Sequence, residues 1–255
     1  MKIGIVGCAG RMGRMLMSST LETTGVQLVA GIEHPNSAAV GQDLGTLAGK
    51  EPIGLIAGND PSVLFRAADA VIDFTVPKAT QSHALLAREY GTILVVGTTG
   101  LQDDHIAALT DAGKSVAVVH SGNMSLGVNL LVGLVEQVAH SLGNDYDIEI
   151  IEMHHKHKID APSGTALMLG EAAARGRQID METNSIKSRV GETGPRPTGS
   201  IGYATLRGGD VIGEHSTIFV GQGERIELSH RATDRALFAK GAIHAAVWAK
   251  NQTPG

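Results

Sequence analysis

The sequence predicts an α/β fold, with an N-terminal Rossmann-like, doubly wound parallel sheet and a second α+β substrate domain built on an open mixed sheet. Three observations support this prediction. The apolar run K-I-G-I-V at 2–6 leads into a glycine-rich turn and then a helical segment. Short apolar strands then alternate with helical segments through the first half. In the second half the strands are longer and alternate less strictly with helices.

The first half shows the strand–helix alternation of a doubly wound sheet. Buried parallel strands read as short, nearly continuous apolar runs, and the segments between them contain good helix formers. Strands are predicted at 2–6, 26–32, 70–74, 92–96 and 115–120, and helices at 14–21, 61–68, 79–90, 102–113 and 129–142. Residues 35–61 are rich in loop formers, with room for a short helix.

The second half changes character near residues 122–128. A strand at 146–152 and a helix at 165–174 precede strands at 186–189, 202–207, 210–220 and 223–232, the last two joined as a hairpin. The Gly/Pro-rich stretch 191–199 is predicted to be a mobile surface loop. A final helix at 236–248 is expected to return to the first domain. The predicted domains are 1–124 plus 235–255 for the dinucleotide, and 125–234 for substrate and oligomerisation.

Composition narrows the class of protein. The 255 residues are 42% hydrophobic and 18% charged, with a net charge of −5 and only 3% aromatic residues, which disfavours nucleic-acid binding. The single cysteine, Cys8, cannot form an internal disulfide, as suits a reducing compartment. No apolar run approaches the roughly 20 residues of a membrane span. A cytoplasmic protein without nucleic-acid or membrane partners is therefore expected.

The turn G-C-A-G-R-M-G at 7–13 follows the first strand, in the context of a dinucleotide fingerprint. Its glycine spacing is one residue longer than usual, so a tight turn that serves helix packing is the alternative. Glu33 ends the second strand, 20 residues after Gly13, where an acid can bind ribose hydroxyls. The next residue, His34, is a weak partner for a 2′-phosphate. NADH or NADPH is the expected cofactor, with NADH favoured.

Residues 152–166, E-M-H-H-K-H-K-I-D-A-P-S-G-T-A, concentrate three histidines and two lysines before a helix start. Histidine exchanges protons near neutral pH, and lysine binds anions. With Ser163 as N-cap, the helix start at Gly164 and Thr165 is expected to hold a carboxylate that Lys158 also contacts. A metal site formed by Glu152, His155 and His157 is the alternative, but the sequence offers no second cluster of ligands and no metal is expected.

Together these motifs resemble the 4-hydroxy-tetrahydrodipicolinate reductase (dihydrodipicolinate reductase) family. Further matches are G-T-T-G at 97, N-M-S-L-G-V-N at 123, R-G-G-D-V-I-G-E-H at 207 and G-E-R-I-E-L-S-H-R-A at 223. The resemblance implies hydride transfer from NADH or NADPH to a cyclic dicarboxylate imine, with loss of water from the hydroxylated substrate, in lysine and diaminopimelate synthesis.

The resemblance also implies roles for individual residues. His154 would donate the proton, Lys158 would bind substrate and help stabilise the transition state, and His155, Gly164 and Thr165 would hold a substrate carboxylate. The implied cofactor residues are Gly7, Cys8, Ala9, Gly10, Arg11, Met12, Glu33, His34, Gly97, Thr98, Thr99, Ser121, Gly122, Asn123 and Met124. A homotetramer formed through the open sheet of the substrate domain is expected.

Departures from the family pattern bear on the cofactor. His34 stands where many relatives carry an arginine, and Val76 stands where some relatives carry another. The absence of both arginines favours NADH over NADPH. Ser121 and Gly122 replace a more usual Ala-Pro. Two other functions stay open: another two-domain dehydrogenase, acting on aspartate or homoserine, and a redox sensor that binds the dinucleotide without chemistry.

Overall fold

A computed structural model describes all 255 residues and divides the chain into two compact units. Unit 1 comprises Met1–Ser125 and Ala236–Gly255, and unit 2 comprises Leu126–Arg235.

Unit 1 contains a five-stranded parallel sheet, which confirms the predicted Rossmann-like domain. Its strands are β1 (Lys2–Val6), β2 (Gln27–Ile32), β3 (Ala70–Asp73), β4 (Ile93–Val96) and β5 (Val118–His120), in the spatial order β2-β1-β3-β4-β5. All four residues of β3 are buried, as expected of a central strand covered on both faces. The strand order reverses beside β1, so the loops after β1 and β3 meet at the carboxyl edge where such sheets bind ligands.

Five helices connect these strands: α1 (Arg11–Glu22), α2 (Leu44–Leu47), α3 (Pro61–Ala67), α4 (Pro77–Tyr90) and α5 (Asp103–Gly113). Two begin earlier than predicted. Gly10 serves as the N-cap of α1, so the last part of the glycine turn already belongs to the helix. Pro77 occupies the first turn of α4, where its missing N–H carries no penalty.

Unit 2 contains the predicted mixed sheet, covered by helices. Its elements are α6 (Leu126–Leu142), a 3-10 turn (Gly143–Asp145), β6 (Asp147–His154), α7 (Gly164–Arg177), α8 (Met181–Asn184), β7 (Ser185–Ile186), β8 (Ile201–Arg207), β9 (Gly213–Val220) and β10 (Arg225–Ala232). The spatial order is β10-β9-β6-β8-β7. Strands β10, β9 and β6 are antiparallel, whereas β6, β8 and β7 run parallel.

Several boundaries in unit 2 differ from the sequence prediction. β7 has two residues rather than four, and the short helix α8, which precedes it, was missed. β9 begins at Gly213 rather than at 210. β6 extends through His154 rather than ending at 152, because Met153 and His154 pair with Leu206 and Arg207 of β8. His154 therefore lies on a strand and not on the loop that the sequence predicted.

Alternation along β6 places polar residues on a core-facing surface. Ile148, Ile150, Glu152 and His154 are all buried, whereas the residues between them are half-buried. Ile148 and Ile150 belong to the apolar core of unit 2. Because side chains of a strand alternate between faces, Glu152 and His154 continue this core face at the strand's end.

The loop 191–199 has no regular structure, as predicted, but Arg196 anchors it. The Arg196 guanidinium donates to the carboxylates of Asp147 and Glu149 and to the carbonyls of Ile148 and Ser200.

Helix α6 bears on the expectation that no segment of the chain spans a membrane. With the 3-10 turn it forms a stretch, Leu126–Asp145, of mean hydropathy 1.2, long and apolar enough by length and composition alone to cross a membrane. Val128, Leu131, Val135 and Ala139 on this helix are buried, and the last three pack in the core of unit 2. Burial of one face is also the pattern of a core helix in a folded domain.

The last helix, α9 (Ala236–Ala249), belongs to unit 1. Its Ala239, Ala242 and Ile243 join the core formed by Leu16 and Met17 of α1.

Candidate functional site

The glycine turn after β1 requires glycine at two of its three glycine positions, Gly7 and Gly13. Gly7 has a φ of +66°, in the left-handed region that favours glycine. The Gly10 N–H donates to the Gly7 carbonyl at 3.1 Å and closes the turn. A Cβ on Gly13 would lie 2.1 Å from the Gly7 oxygen, so only glycine permits α1 to approach the turn. This geometry suits phosphates at a helix N-terminus, although it would equally serve packing.

A cavity of about 490 Å³ opens beside this turn in unit 1. Four of the predicted cofactor residues line it, namely Gly7, Gly10, Glu33 and His34. The other lining residues are Val6, Ile32, Pro35, Asn59, Pro61, Phe74, Thr75, Val76, Ala79 and His83. Of these, only Val76 was singled out from the sequence. Its size is typical of small-molecule and cofactor pockets.

Glu33 links the end of β2 to the glycine turn. Its Oε2 accepts the Ala9 N–H at 3.0 Å, and its Oε1 accepts the His34 N–H at 2.9 Å. Each carboxylate oxygen retains a lone pair for a further donor, such as a ribose hydroxyl. The His34 ring Nδ1 accepts the Asn36 N–H at 3.3 Å, so that nitrogen carries no proton in this arrangement.

Cys8 contributes backbone and packing rather than reactivity. It is fully buried, and its N–H donates to the Ile32 carbonyl at 3.0 Å. Burial, reinforced by the nearby Glu33 charge, raises the pKa of the Cys8 thiol to about 11. Arg11 and Met12, at the start of α1, are exposed and half-buried, respectively.

The G-T-T-G segment at 97–100 makes packing contacts and hydrogen bonds within the protein. A Cβ on Gly97 would lie 2.3 Å from the Phe74 ring, so this glycine allows close packing. Thr98 is buried, and its hydroxyl donates to Asp73 at 3.2 Å and accepts the Thr75 N–H at 3.1 Å. Thr99 is exposed. The Thr98 side chain is therefore engaged within the protein.

A buried carboxylate, Asp73 at the end of β3, was missed as a site residue. His83 Nδ1 lies 2.8 Å from its Oδ2, and the Thr75 N–H and hydroxyl donate to its Oδ1 at 2.8 and 2.6 Å. Burial would raise the pKa of Asp73, but the hydrogen bonds from His83 and Thr75 outweigh it and lower the pKa. The signal in the sequence was an acid closing the apolar run A-V-I-D.

The segment 121–124 forms a compact turn. The Ser121 hydroxyl donates to the Asn123 carbonyl at 2.7 Å, and the Asn123 side-chain oxygen accepts the Ser125 N–H at 2.9 Å. Met124 is buried in the core of unit 1. A Cβ on Gly241 of α9 would lie 1.7 Å from the Met124 carbonyl oxygen, so α9 packs directly on this turn. Ser121, Gly122, Asn123 and Met124 are not among the residues that line the cavity.

In unit 2, His154 is held through one ring nitrogen. Its Nδ1 lies 2.6 Å from Glu152 Oε2, and both residues are buried. Burial lowers the pKa of His154, and Lys158 and Arg207 lower it further, while Glu152 opposes them.

The Glu152 carboxylate lies at the centre of a hydrogen-bonded cluster that the sequence prediction largely missed. Arg207 donates to both of its oxygens at 2.8 and 2.9 Å, and the Ser163 N–H and Thr205 hydroxyl donate at 3.1 and 3.3 Å. Burial would raise the pKa of Glu152, but the hydrogen bonds from Arg207 and His154 lower it. The available signal was the E-x-H spacing on a strand, which puts Glu152 and His154 on one face.

His215 of β9 completes this cluster. Its Nε2 lies 2.8 Å from the Ser163 hydroxyl, and its ring meets that of His154 edge-on, with centroids 5.0 Å apart. Burial lowers the pKa of His215 to about 4, so this ring is neutral at pH 7. Its Nδ1 is buried without a hydrogen-bond partner.

The predicted anion-binding residues lie just after β6. Lys158 Nζ is 2.8 Å from Asp160 Oδ2. His155 is half-buried, and its Nδ1 is buried without a hydrogen-bond partner. At the start of α7 the Ser163 hydroxyl accepts the Ala166 N–H at 3.2 Å, which confirms the predicted N-cap. Gly164 is exposed, with open space where a Cβ would stand, and Thr165 is half-buried.

Lys156 and His157 between them are exposed. No group of three or more His, Cys, Asp or Glu side chains is arranged to hold a metal ion. Both oxygens of Glu152, the carboxylate considered as a ligand, already accept hydrogen bonds within the protein.

Comparisons with known proteins cover the whole chain. Residues 1–124 match the family model described as dihydrodipicolinate reductase, N-terminus, and residues 127–255 match the model for the C-terminus. A 4-hydroxy-tetrahydrodipicolinate reductase of Sinorhizobium fredii is 54% identical over 256 residues, covering 100% of this chain and 94% of the relative.

Solved structures share the fold. A dipicolinate-bound dihydrodipicolinate reductase from Paenisporosarcina sp. TG-14 superposes with a TM-score of 0.76 at 23% identity, covering 98% of this chain and 94% of that one. An amine dehydrogenase from Mycobacterium smegmatis superposes with a TM-score of 0.63 at 12% identity, covering 99% and 93%. At these identities the likeness concerns the fold alone.

Proposed function

The chain belongs to the dihydrodipicolinate reductase family, and from this premise we propose that it reduces 4-hydroxy-tetrahydrodipicolinate to tetrahydrodipicolinate, with loss of water. Hydride would come from NADH or NADPH, in lysine and diaminopimelate synthesis. The observation that carries the proposal is a buried histidine, His154, held by a carboxylate a few residues before a lysine and a helix start. Such a site offers a proton beside groups that bind a dicarboxylate.

His154 would supply the proton. Hydride addition to the electron-poor ring leaves negative charge that a proton must neutralise. The pKa of His154 is lowered chiefly by burial in the ligand-free protein. A bound dicarboxylate brings two negative charges, which would raise this pKa and favour the protonated ring when substrate is present.

The substrate carboxylates would be held by Lys158, by His155 and by the backbone N–H groups at Gly164 and Thr165. The unpartnered Nδ1 of His155 supports this assignment, because a buried polar atom without a partner is costly unless a ligand satisfies it. The dipicolinate in the Paenisporosarcina relative is a dicarboxylate of this kind. Substrate would displace Asp160 from Lys158, since both are anions that compete for one ammonium group.

The dinucleotide would bind at the glycine turn and the adjoining cavity, with Glu33 on the ribose hydroxyls. Backbone and side-chain groups of Cys8, Ala9, Arg11 and Met12 would complete the phosphate site. The nicotinamide half is assigned to Gly97, Thr98, Thr99, Ser121, Gly122, Asn123 and Met124.

We further propose that NADH is favoured over NADPH. Glu33 would repel a 2′-phosphate, and neither His34 nor Val76 on the cavity wall supplies a fixed positive charge. Replacing His34 with Arg should raise kcat/KM for NADPH relative to NADH by about tenfold or more, because a charge-assisted hydrogen bond contributes about 1.5–3 kcal/mol. His34→Gln is the matched control, and an unchanged cofactor ratio in His34→Arg would contradict the assignment.

The test of the reaction is initial-rate oxidation of NADH and NADPH by absorbance. Substrate is made in situ by a coupled synthase from pyruvate and aspartate semialdehyde. Turnover supports the proposal. Intact dinucleotide binding without turnover would overturn it, in favour of a dinucleotide sensor or a dehydrogenase of another substrate.

A homotetramer in the cytoplasm is also proposed. Helices cover one face of the sheet in unit 2, whereas Leu206 and Val220 are 50% and 39% exposed. Exposed apolar patches of this kind mark protein–protein interaction sites. The single, buried cysteine is compatible with a reducing compartment. Light scattering coupled to size exclusion would test the oligomer, and a monomeric mass would contradict it.

A further inference from the structure

Five hydrogen bonds from four residues converge on the carboxylate of Glu152: two from Arg207 and one each from His154, Ser163 and Thr205. The proposed reaction requires a proton on His154, but it does not by itself require this carboxylate or the arginine. A buried ion pair is weak evidence for stabilisation, because desolvation offsets its attraction. The arrangement around His154 therefore calls for another explanation.

We propose that Glu152 and Arg207 are positioning residues that fix the tautomer of His154 and adjust its proton affinity in opposite directions. This inference rests on the proposed function, in which His154 is the proton donor.

The tautomer follows from the contact at Nδ1. An ionised carboxylate only accepts hydrogen bonds, so the ring nitrogen 2.6 Å from it carries the proton. In the neutral ring Nε2 then has none, and Nε2 is the nitrogen that gains and gives up a proton during reaction. Gly213 leaves room beside that nitrogen, since a Cβ there would lie 3.0 Å from His154 Nε2.

Proton affinity follows from the charges around the ring. Glu152 stabilises the imidazolium, whereas Arg207 and Lys158 oppose it, and His215 of β9 is neutral. Asp160 lies against Lys158 and, through its carbonyl, against Arg207. Because Arg207 binds both oxygens of Glu152, it offsets the charge that would otherwise make His154 a weak acid.

A merely structural role for this ion pair predicts a different result. If Glu152 and Arg207 only joined β6 to β8, loss of either would destabilise the sheet, without moving the pKa of His154 in opposite directions. A second carboxylate on β6 provides the matched control. Glu149, which lies on the other face of β6, is bound by Arg189 at 2.8 Å and by Arg196 at 3.0 Å, and it contacts no histidine.

The experiment combines NMR of ring nitrogens with pH–rate profiles on the full chain. Proteins labelled with ¹⁵N-histidine are titrated for the wild type, Glu152→Gln, Arg207→Gln and Glu149→Gln, and kcat/KM is measured over the same pH range. The wild-type tautomer requires no variant, so it stays informative if Glu152→Gln fails to fold. Arg207→Lys tests whether a cation without the bidentate fork suffices.

Support consists of an Nδ1–H tautomer for wild-type His154 and opposite pKa shifts. Glu152→Gln should lower the pKa of His154 and Arg207→Gln should raise it, each by about one unit. Activity that needs protonated His154 is present below this pKa and lost above it, so the basic limb should move with the pKa. In Glu152→Gln, kcat should also fall by at least about tenfold.

An Nε2–H tautomer in the wild type would overturn the proposal, as would shifts of the same sign in both variants or an equal shift in Glu149→Gln. Failure of the proposed function is distinguishable. A wild type that turns over neither cofactor, but shows the Nδ1–H tautomer and opposite NMR shifts, would overturn the reaction and support the positioning role.

Discussion

Each unit buries a carboxylate near the end of a strand and places it against the Nδ1 of a histidine. In unit 1, Asp73 of β3 pairs with His83 at 2.8 Å, and in unit 2, Glu152 of β6 pairs with His154 at 2.6 Å. A backbone N–H and a threonine hydroxyl also donate to each carboxylate. The pairs differ in one partner, since Arg207 binds Glu152, whereas the other side-chain donors to Asp73 are the hydroxyls of Thr75 and Thr98.

That difference separates a structural pair from one suited to proton transfer. Around Asp73 the donors Thr75, Thr98 and His83 join the ends of β3 and β4 to α4, beside the cavity at the glycine turn. Around Glu152 an arginine offsets the carboxylate charge and thus leaves His154 able to release a proton. If His154 is the proton donor, as proposed, a carboxylate–histidine contact alone does not identify a catalytic histidine, and the neighbouring arginine distinguishes the two pairs.

The largest expected effect comes from replacing the two histidines, because the replacements should act on different kinetic constants. His154→Gln should lower kcat by about 10²–10⁴-fold, the usual contribution of a general acid, with little change in dinucleotide affinity. His83→Gln should act mainly on KM for NADH, since His83 lines the cavity. Steady-state kinetics with both substrates varied would measure this. Equal losses of turnover in the two variants would contradict the different roles given to the Glu152–His154 and Asp73–His83 pairs.

The next effect concerns stability. Glu152→Gln should cost about 3 kcal/mol of the free energy of unfolding, at the low end for breaking a buried ion pair because the Arg207 side chain is 21% exposed. Asp73→Asn should cost less, about 1–3 kcal/mol, because it deprives no arginine of its carboxylate. Urea unfolding followed by circular dichroism measures both values. A larger loss in Asp73→Asn would contradict the role given to the arginine.

The last expected effect appears in the pH dependence of stability. His215 has a folded pKa of about 4, below the ordinary value near 6.5. The unfolded chain therefore binds the proton first, and stability falls as the pH drops from about 6.5 to about 4. Asp73, whose pKa is also lowered, contributes stability that is lost only below about pH 4. His215→Gln should therefore reduce the slope of stability against pH between about pH 6.5 and 4, the upper window. Asp73→Asn should reduce the slope below about pH 4, the lower window.

Urea midpoints at half-unit pH intervals from 7 to 3 would resolve the two windows. Glu149→Gln serves as a control for removing a carboxylate without touching His215. It should leave the slope unchanged above about pH 5.5, where the Glu149 carboxylate, whose pKa is lowered, is ionised in both the folded and the unfolded chain. If His215→Gln retained the full slope between pH 6.5 and 4, burial of this histidine would not be the cause.

The sequence alone predicted those features that depend on residues close together in the chain. The strand–turn–helix around Gly7 and the N-cap Ser163 depend on residues close in the chain, and both were predicted from the local sequence. The two carboxylate clusters join residues that are far apart. Arg207 is 55 positions from Glu152, and His215 is 52 from Ser163. Such contacts depend on which strands pair and in which register, and a single sequence does not specify this.

Short elements were missed for a related reason. Helix α8 and strand β7 have four and two residues, too few for a periodic pattern to emerge. The extension of β6 through His154 depends on pairing with β8, so the composition of the segment could not reveal it.

The register between β6 and β8 has a consequence for how this protein tolerates changes in chain length. Glu152 lies opposite Thr205, and His154 lies opposite Arg207. Deleting or inserting one residue inside either strand would turn the side chains beyond that point to the other face of the sheet. Insertions in loop 191–199 alter no such pairing. In a library of length variants, active members should therefore carry their insertions in such loops, while β6 and β8 keep their present number of residues.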